Sequence, residues 1–170
     1  MELLYSFAPI VSDNARVLIL GSMPGQASLD ARQYYAHKRN LFWPIMGELL
    51  GFDPLSSYED RTYALRTAGI ALWDVLQSCH REGSRDAKIR HDTMTVNNFA
   101  VFFRQYSQIR YVFFNGEKAA TCFHRHVDKK QLPEELILQR LPSTSPANAA
   151  QSLSHKLQAW QQILPPLSAD

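Results

Sequence analysis

The chain of 170 residues has little cysteine, only Cys79 and Cys122. Two thiols cannot build a disulfide framework, nor a four-cysteine metal or iron–sulfur centre. A reduced, cytoplasmic compartment is therefore expected. No stretch approaches the ~20 apolar residues of a membrane-spanning helix. The first residues, MELLYSFAPIV, carry Glu2 and lack the basic start and long apolar stretch of a secretion signal. No GxxxxGK[ST] pattern occurs, which argues against kinase or NTPase chemistry. Neither sign of charge dominates. The net charge is +2 and the isoelectric point is near 8.6. That permits an anionic partner but falls below the pI of about 9 that marks strongly basic nucleic-acid binders. Repeats, low-complexity tracts and Pro/Gly/Ser-rich linkers are missing too. With 45% apolar and 20% charged residues, the expectation is one globular domain over residues 1–170. Such a domain buries about two-thirds of its unfolded surface.

Four short runs have strand character: residues 16–20 (RVLIL), 69–73 (GIALW), 110–114 (RYVFF) and 136–141 (LILQRL). Three are almost continuously apolar, as strands buried on both faces are. Helical patterns lie between and after them, at 41–50, 58–68, 97–106, 117–127 and 152–164. Gly51 and Gly69 are natural stops, and Ser56 and Ser57 are candidate N-caps. This alternation predicts an α/β fold of three α/β/α layers around a central four-stranded parallel sheet. Ligands of such sheets bind at the carboxyl ends of the strands. The unusual stretches of this sequence all follow candidate strands.

The first of them is GSMPG at 21–25, directly after VLIL. Its glycines and proline predict a tight loop whose N–H groups can approach a ligand closely. A run dense in aromatic and polar residues, QYYAHKRNLFW at 33–43, comes next. After the last strand lies LPSTSPANAA at 141–150. There Ser143, Thr144 and Ser145 alternate with prolines that hold them extended, and small neutral donors of this kind suit phosphate oxygens. The same residues would also cap the final helix.

Taken together, these stretches resemble the uracil-DNA glycosylase superfamily, and within it the hypoxanthine-DNA (deoxyinosine) glycosylase branch. The resemblance covers nearly the whole chain through the strand–helix order, but about thirty residues give it specificity. It implies a uracil-DNA-glycosylase-like fold and lesion-containing DNA as the partner. Related mismatch-type glycosylases carry a catalytic Asn in the first motif, where this chain has Met23. The hypoxanthine branch places its catalytic Asn just before the Phe-Trp pair, which here is Asn40. An amide has no useful pKa, so Asn40 would orient a water against C1′ and set its carbonyl dipole near the charge developing on the sugar. Asn40 is equally suited to cap the following helix.

The resemblance implies further roles. Tyr35 would stack on the extruded base, whereas Tyr34, Phe42 and Trp43 pack. The backbone amides of Ser22, Met23 and Gly25 would address the base. His37 would hydrogen-bond the base or a phosphate. Asp74, at the end of the second strand, would accept from N1–H of hypoxanthine, with Asn115 as a second candidate. Ser143, Thr144 and Ser145 would press the DNA strand, and Ala147 or Asn148 would follow into the gap. Lys38 and Arg39, and Arg81, Arg85, Lys88 and Arg90 of the polar segment 79–92, are candidate phosphate contacts or simply solvated. Neither Cys79, His80 and His91 nor Cys122, His124 and His126 have a recognised metal-ligand spacing. No metal or organic cofactor is expected, and the protein is expected to be a monomer without membrane contact. Three other readings stay open: a uracil or xanthine preference, a glycosylase/lyase using an amine such as Lys38, and a non-catalytic nucleic-acid-binding domain.

Overall fold

In the computed structural model, which describes residues 2–168, the four candidate strands pair as one parallel sheet. Its strands are β2 (Val17–Gly21), β3 (Ile70–Asp74), β6 (Tyr111–Asn115) and β7 (Ile137–Leu141), in the order β3-β2-β6-β7. Each begins one residue later than the sequence pattern suggests. At the second strand the reason is local: Gly69 closes the preceding helix with φ +87°, a conformation that favours glycine. Alternate side chains of β2 face opposite ways. Val17 and Ile19 join one buried cluster, Leu18 and Leu20 the other, which is why the run is apolar throughout.

The helices divide between the two faces. Those after the first strand are α1 (Gln26–Ala31), α2 (Phe42–Leu50) and α3 (Tyr58–Ala68). Next come α4 (Phe99–Gln105), α5 (Glu117–His126), α6 (Leu153–Trp160) and α7 (Leu164–Ser168). Phe42, Trp43, Leu65, Trp160 and Ile163 pack with Val17 and Ile19 on one face; Phe99, Phe103, Cys122 and Phe123 pack with Leu18 and Leu20 on the other. These are the expected three layers.

Three features depart from the sequence reading. A second, antiparallel sheet joins β1 (Leu3–Tyr5), β4 (Leu76–His80) and β5 (Thr95–Val96) in the order β1-β4-β5. These strands are short, and Gln77 of β4 is exposed between buried Leu76 and Ser78, so they lack the continuous apolar signature of the main sheet. Helix α1 forms in a stretch to which the sequence pattern assigns no element. The final helical pattern is one α-helix, a 3-10 turn (Gln161–Ile163) and α7 rather than a single element.

The topology fixes where a ligand can sit. β2 leads by way of helices to β3 on one side, while β6 lies on its other side. The strand order therefore reverses beside β2, and the crevice beyond the carboxyl ends of such strands is where α/β sheets bind ligands. Gly21, Asp74, Asn115 and Leu141 end the four strands there.

Candidate active site

Gly21 lets two polar groups converge on the end of β2. A Cβ on this residue would lie 2.7 Å from Asp74 Oδ1 and 2.8 Å from Tyr35 Oη. The Tyr35 backbone has φ +55°, a strained value for an aromatic residue. Its ring stacks on Phe42 with centroids 4.2 Å apart, and its hydroxyl is buried without a hydrogen-bond partner. Tyr34 packs as expected, its hydroxyl donating to the Ala8 carbonyl. Phe42 and Trp43 are both buried in the core.

Asp74 is 3% exposed. Burial pushes its carboxyl up to about 7, against the hydrogen bond from Ser6; Asp86 raises it further and Arg81 opposes. Ser6 Oγ donates to Oδ2 at 2.7 Å, and Asn97 Nδ2 donates to the Asp74 carbonyl oxygen at 2.8 Å. Oδ1 is the oxygen left facing Gly21. Ser6 precedes Asp74 by 68 residues, so no local pattern could have paired them.

The GSMPG loop is held from outside by residues 81–86. Ser22 Oγ donates to Asp86 Oδ1 at 2.7 Å, and Ser84 Oγ accepts from the Gln26 amide. Arg81 Nη2 donates to the Pro24 carbonyl oxygen at 2.7 Å. Arg81, a candidate DNA contact by sequence, is thus 4% exposed and grips a protein loop instead; Arg85, Lys88 and Arg90 remain exposed. The Met23 side chain lies in the apolar core, so only its backbone can reach a ligand. Its amide, like that of Gly25, has no hydrogen-bond partner among the described residues.

The aromatic-polar run and the serine loop are joined by one backbone hydrogen bond, Leu41 N–H to the Thr144 carbonyl oxygen at 3.0 Å. Next to it, Asn40 Oδ1 accepts from the Phe42 amide at 2.9 Å. This fixes the amide plane and leaves Nδ2 and one oxygen lone pair unused. His37 is exposed, and its Nδ1 accepts from the Arg39 amide.

Thr144 does not serve as the sequence suggests. It is fully buried and forms a reciprocal pair with Asn115. Asn115 Nδ2 donates to Thr144 Oγ1, and the Thr144 amide donates to Asn115 Oδ1, both at 2.9 Å. Oγ1 only accepts there, but the residue is fully buried and its own hydroxyl hydrogen has no path to a phosphate, so any strand contact falls to the half-buried Ser143 and Ser145. Gly116 permits the close approach, since a Cβ there would lie 2.9 Å from that of Ser143. Asn148 braces the loop through its Nδ2 to the Ser143 carbonyl oxygen, while Ala147 stands exposed at the tip of a 3-10 turn (Pro146–Asn148). Replacing Thr144 by the isosteric Val should leave Asn115 Nδ2 without its acceptor. We expect a stability loss of about 1–3 kcal/mol, seen as a lower denaturant midpoint.

No group of three or more His, Cys, Asp or Glu among the described residues is placed to hold a metal ion. No helix of the described residues is long and apolar enough to cross a membrane.

Comparison with known proteins bears on this arrangement. The family model of the uracil DNA glycosylase superfamily matches residues 8–164. Two relatives named hypoxanthine DNA glycosylase come from Methanosarcina barkeri (strain Fusaro) and Methanosarcina acetivorans. They are 39% and 35% identical over 114 residues, or 66% of this chain and 71% of each relative. The solution NMR structure of a proposed uracil DNA glycosylase from Methanosarcina acetivorans matches with a TM-score of 0.82 at 29% identity. That match covers 99% of this chain and 100% of the other.

Proposed function

The chain belongs to the uracil DNA glycosylase superfamily, and on that premise we propose that it excises hypoxanthine from deoxyinosine in DNA, as the first step of base excision repair. The observation that carries the choice of base is the pair of groups at Gly21. Deamination of adenine converts a ring acceptor beside an amino donor into an N1–H donor beside the O6 acceptor. A site that rejects adenine and takes hypoxanthine needs the complementary order, one acceptor and one donor side by side. Asp74 Oδ1 is an acceptor and the unpartnered Tyr35 hydroxyl is a donor, and both lie against the bare Cα of Gly21. The free amides of Met23 and Gly25 add donors nearby.

The remaining residues support a hydrolytic mechanism. Ser143 and Ser145 press the strand from a loop stiffened by Asn115 and Thr144, and Ala147 enters the space that the extruded nucleotide leaves. Tyr35, its ring already stacked on Phe42, serves the base edge through its hydroxyl in place of the stacking role that the resemblance implies, and the exposed His37 meets the base or a phosphate from the rim. The C1′–N9 bond then breaks, its electron pair leaving with the base, and an oxocarbenium-like charge develops on the sugar. Asn40, its carbonyl held by the Phe42 amide, sets its dipole toward that charge and orients the water that adds to C1′. The water loses a proton to solvent and the base gains one, so an abasic site and free hypoxanthine result. No cofactor enters the scheme. We read the protein as cytoplasmic, a reading supported by its two free, buried cysteines, and as a monomer.

Duplexes carrying one deoxyinosine, uracil or xanthine test the proposal when base release is followed by alkali cleavage. Deoxyinosine strands should break fastest, and borohydride should trap no covalent adduct. Faster cleavage at uracil would overturn the choice of base, and a trapped adduct would overturn direct hydrolysis.

A further inference from the structure

Lys156 is a buried cation with no visible use in the fold. It lies in the first turn of α6, is only 1% exposed, and has no hydrogen-bond or carboxylate partner among the described residues. The salt bridge present there is Arg90 with Asp92. The fold buries the aliphatic stem of Lys156, while the ammonium, held below the ordinary lysine value by partial desolvation, opens on solvent without a counter-charge. Lys156 lines an open pocket of about 330 Å³ whose other walls include Arg39, Ser145, Gln151 and Ser152. No acidic residue lines it. The pocket sits at the amino-terminal end of α6, which Ser152 caps by accepting from the His155 amide. The helix dipole there favours an anion. Two cations, hydroxyl groups and a helix terminus around one opening suit a phosphate group.

Its position says whose phosphate. Arg39 and Leu41 flank Asn40, Ser145 belongs to the strand-pressing loop, and the Leu41–Thr144 hydrogen bond joins these two walls. We propose that Lys156 and Arg39 form a receptor for one backbone phosphate of the substrate strand, beside the extruded nucleotide. The proposal rests on the glycosylase reading above and adds Lys156, outside the recognised motifs, to the Arg39 that the sequence already offers as a phosphate contact.

The test is the salt dependence of binding to a duplex containing 2′-fluoro-deoxyinosine, whose glycosidic bond resists cleavage. Lys156→Met keeps the aliphatic stem and removes the charge. It should weaken binding about tenfold at moderate salt and lower the slope of log K against log[salt] by about one. Arg39→Gln, at an exposed position, should lower the slope similarly and covers the case in which Lys156→Met does not fold. Lys130→Ala, on the turn that leads into β7 at the opposite end of the sheet, should keep the unmutated slope. Single methylphosphonate substitutions around the lesion then locate the contact. One position should weaken the unmutated protein more than Lys156→Met alone does, and should weaken the double variant Lys156→Met/Arg39→Gln no further.

Unmutated slopes in both folded variants would overturn the proposal. So would a methylphosphonate scan in which every position costs the double variant and the unmutated protein alike. The two readings fail separately. Lowered slopes with no hypoxanthine release would sustain the phosphate site and remove the substrate assignment. Hypoxanthine release with unchanged slopes would do the reverse.

Discussion

Asn40→Ala is expected to slow release of hypoxanthine by about 10²–10³-fold at saturating enzyme, the usual cost of removing one preorganised dipole from a transition state. The Asn40 side chain is held in place in advance. Its carbonyl oxygen accepts from the Phe42 amide at 2.9 Å, so the amide is fixed before substrate arrives and needs no reorganisation during bond cleavage. The same hydrogen bond gives alanine a structural cost of about 1 kcal/mol. That cost is too small to unfold the domain and is measurable by denaturant titration. Asn40→Asp separates the two effects, because a carboxylate still accepts from the Phe42 amide while altering the groups offered to water. Single-turnover rates should fall far more than stability in the alanine variant, while DNA affinity stays close to the original. Activity within a few-fold of the unmutated protein would remove Asn40 from the chemistry and leave it a turn residue.

The second large effect is a pH dependence set by Asp74. Burial raises its carboxyl from the ordinary 3.8 to about 7. If its role is to accept from N1–H, the ionised form is the active one, so kcat/KM for deoxyinosine should rise with pH and level off above about 7. Asp74→Asn should abolish that rise. At pH 8 it should also lower kcat/KM about ten- to a hundredfold, the worth of one charge-assisted hydrogen bond. A profile that falls through pH 7 instead would mean that the protonated carboxyl donates to the leaving base.

Stability should run the opposite way. A carboxyl raised on folding stabilises the native state fully below its unfolded value and loses that contribution as pH rises through the folded value. The unmutated protein should therefore lose stability between about pH 4 and pH 8. At ~1.4 kcal/mol per pKa unit, the ceiling on this loss is about 4 kcal/mol. Asp74→Asn should lack this slope and should melt higher than the unmutated protein at pH 8, so the residue proposed to read the base would be one that destabilises the fold at that pH. Melting temperatures of the two proteins across this range check the sign directly.

Much of this molecule was legible in its sequence because the information is local. VLIL and VFF must be buried on both faces wherever they lie, and helices that end in Gly51 or Gly69 end there for backbone reasons. Such runs dictate a parallel sheet, and a parallel sheet dictates that its ligand lies past the strand ends. The spacing of GSMPG, Asn40 before Phe-Trp, and LPSTSPANA likewise put the two loops of the site at those ends. Composition excluded a disulfide framework, and no run was long enough to span a membrane as a helix. The residues that tune the site were not legible, because each acquires its role from a neighbour distant in the chain. Ser6 meets Asp74 across the small antiparallel sheet, whose strands are too short and too polar to announce themselves. Arg81 reads as one more cation of a basic loop until Pro24 and Gly83 offer their carbonyl oxygens to it. Thr144 reads as a phosphate donor, but Asn115 claims its hydroxyl once β6 and the serine loop pack together. Sequence alone decides which residues can be charged, polar or apolar. Only the tertiary structure decides which polar groups lose their water and which partner replaces it, and that exchange sets the ionisation of Asp74 and the burial of Lys156.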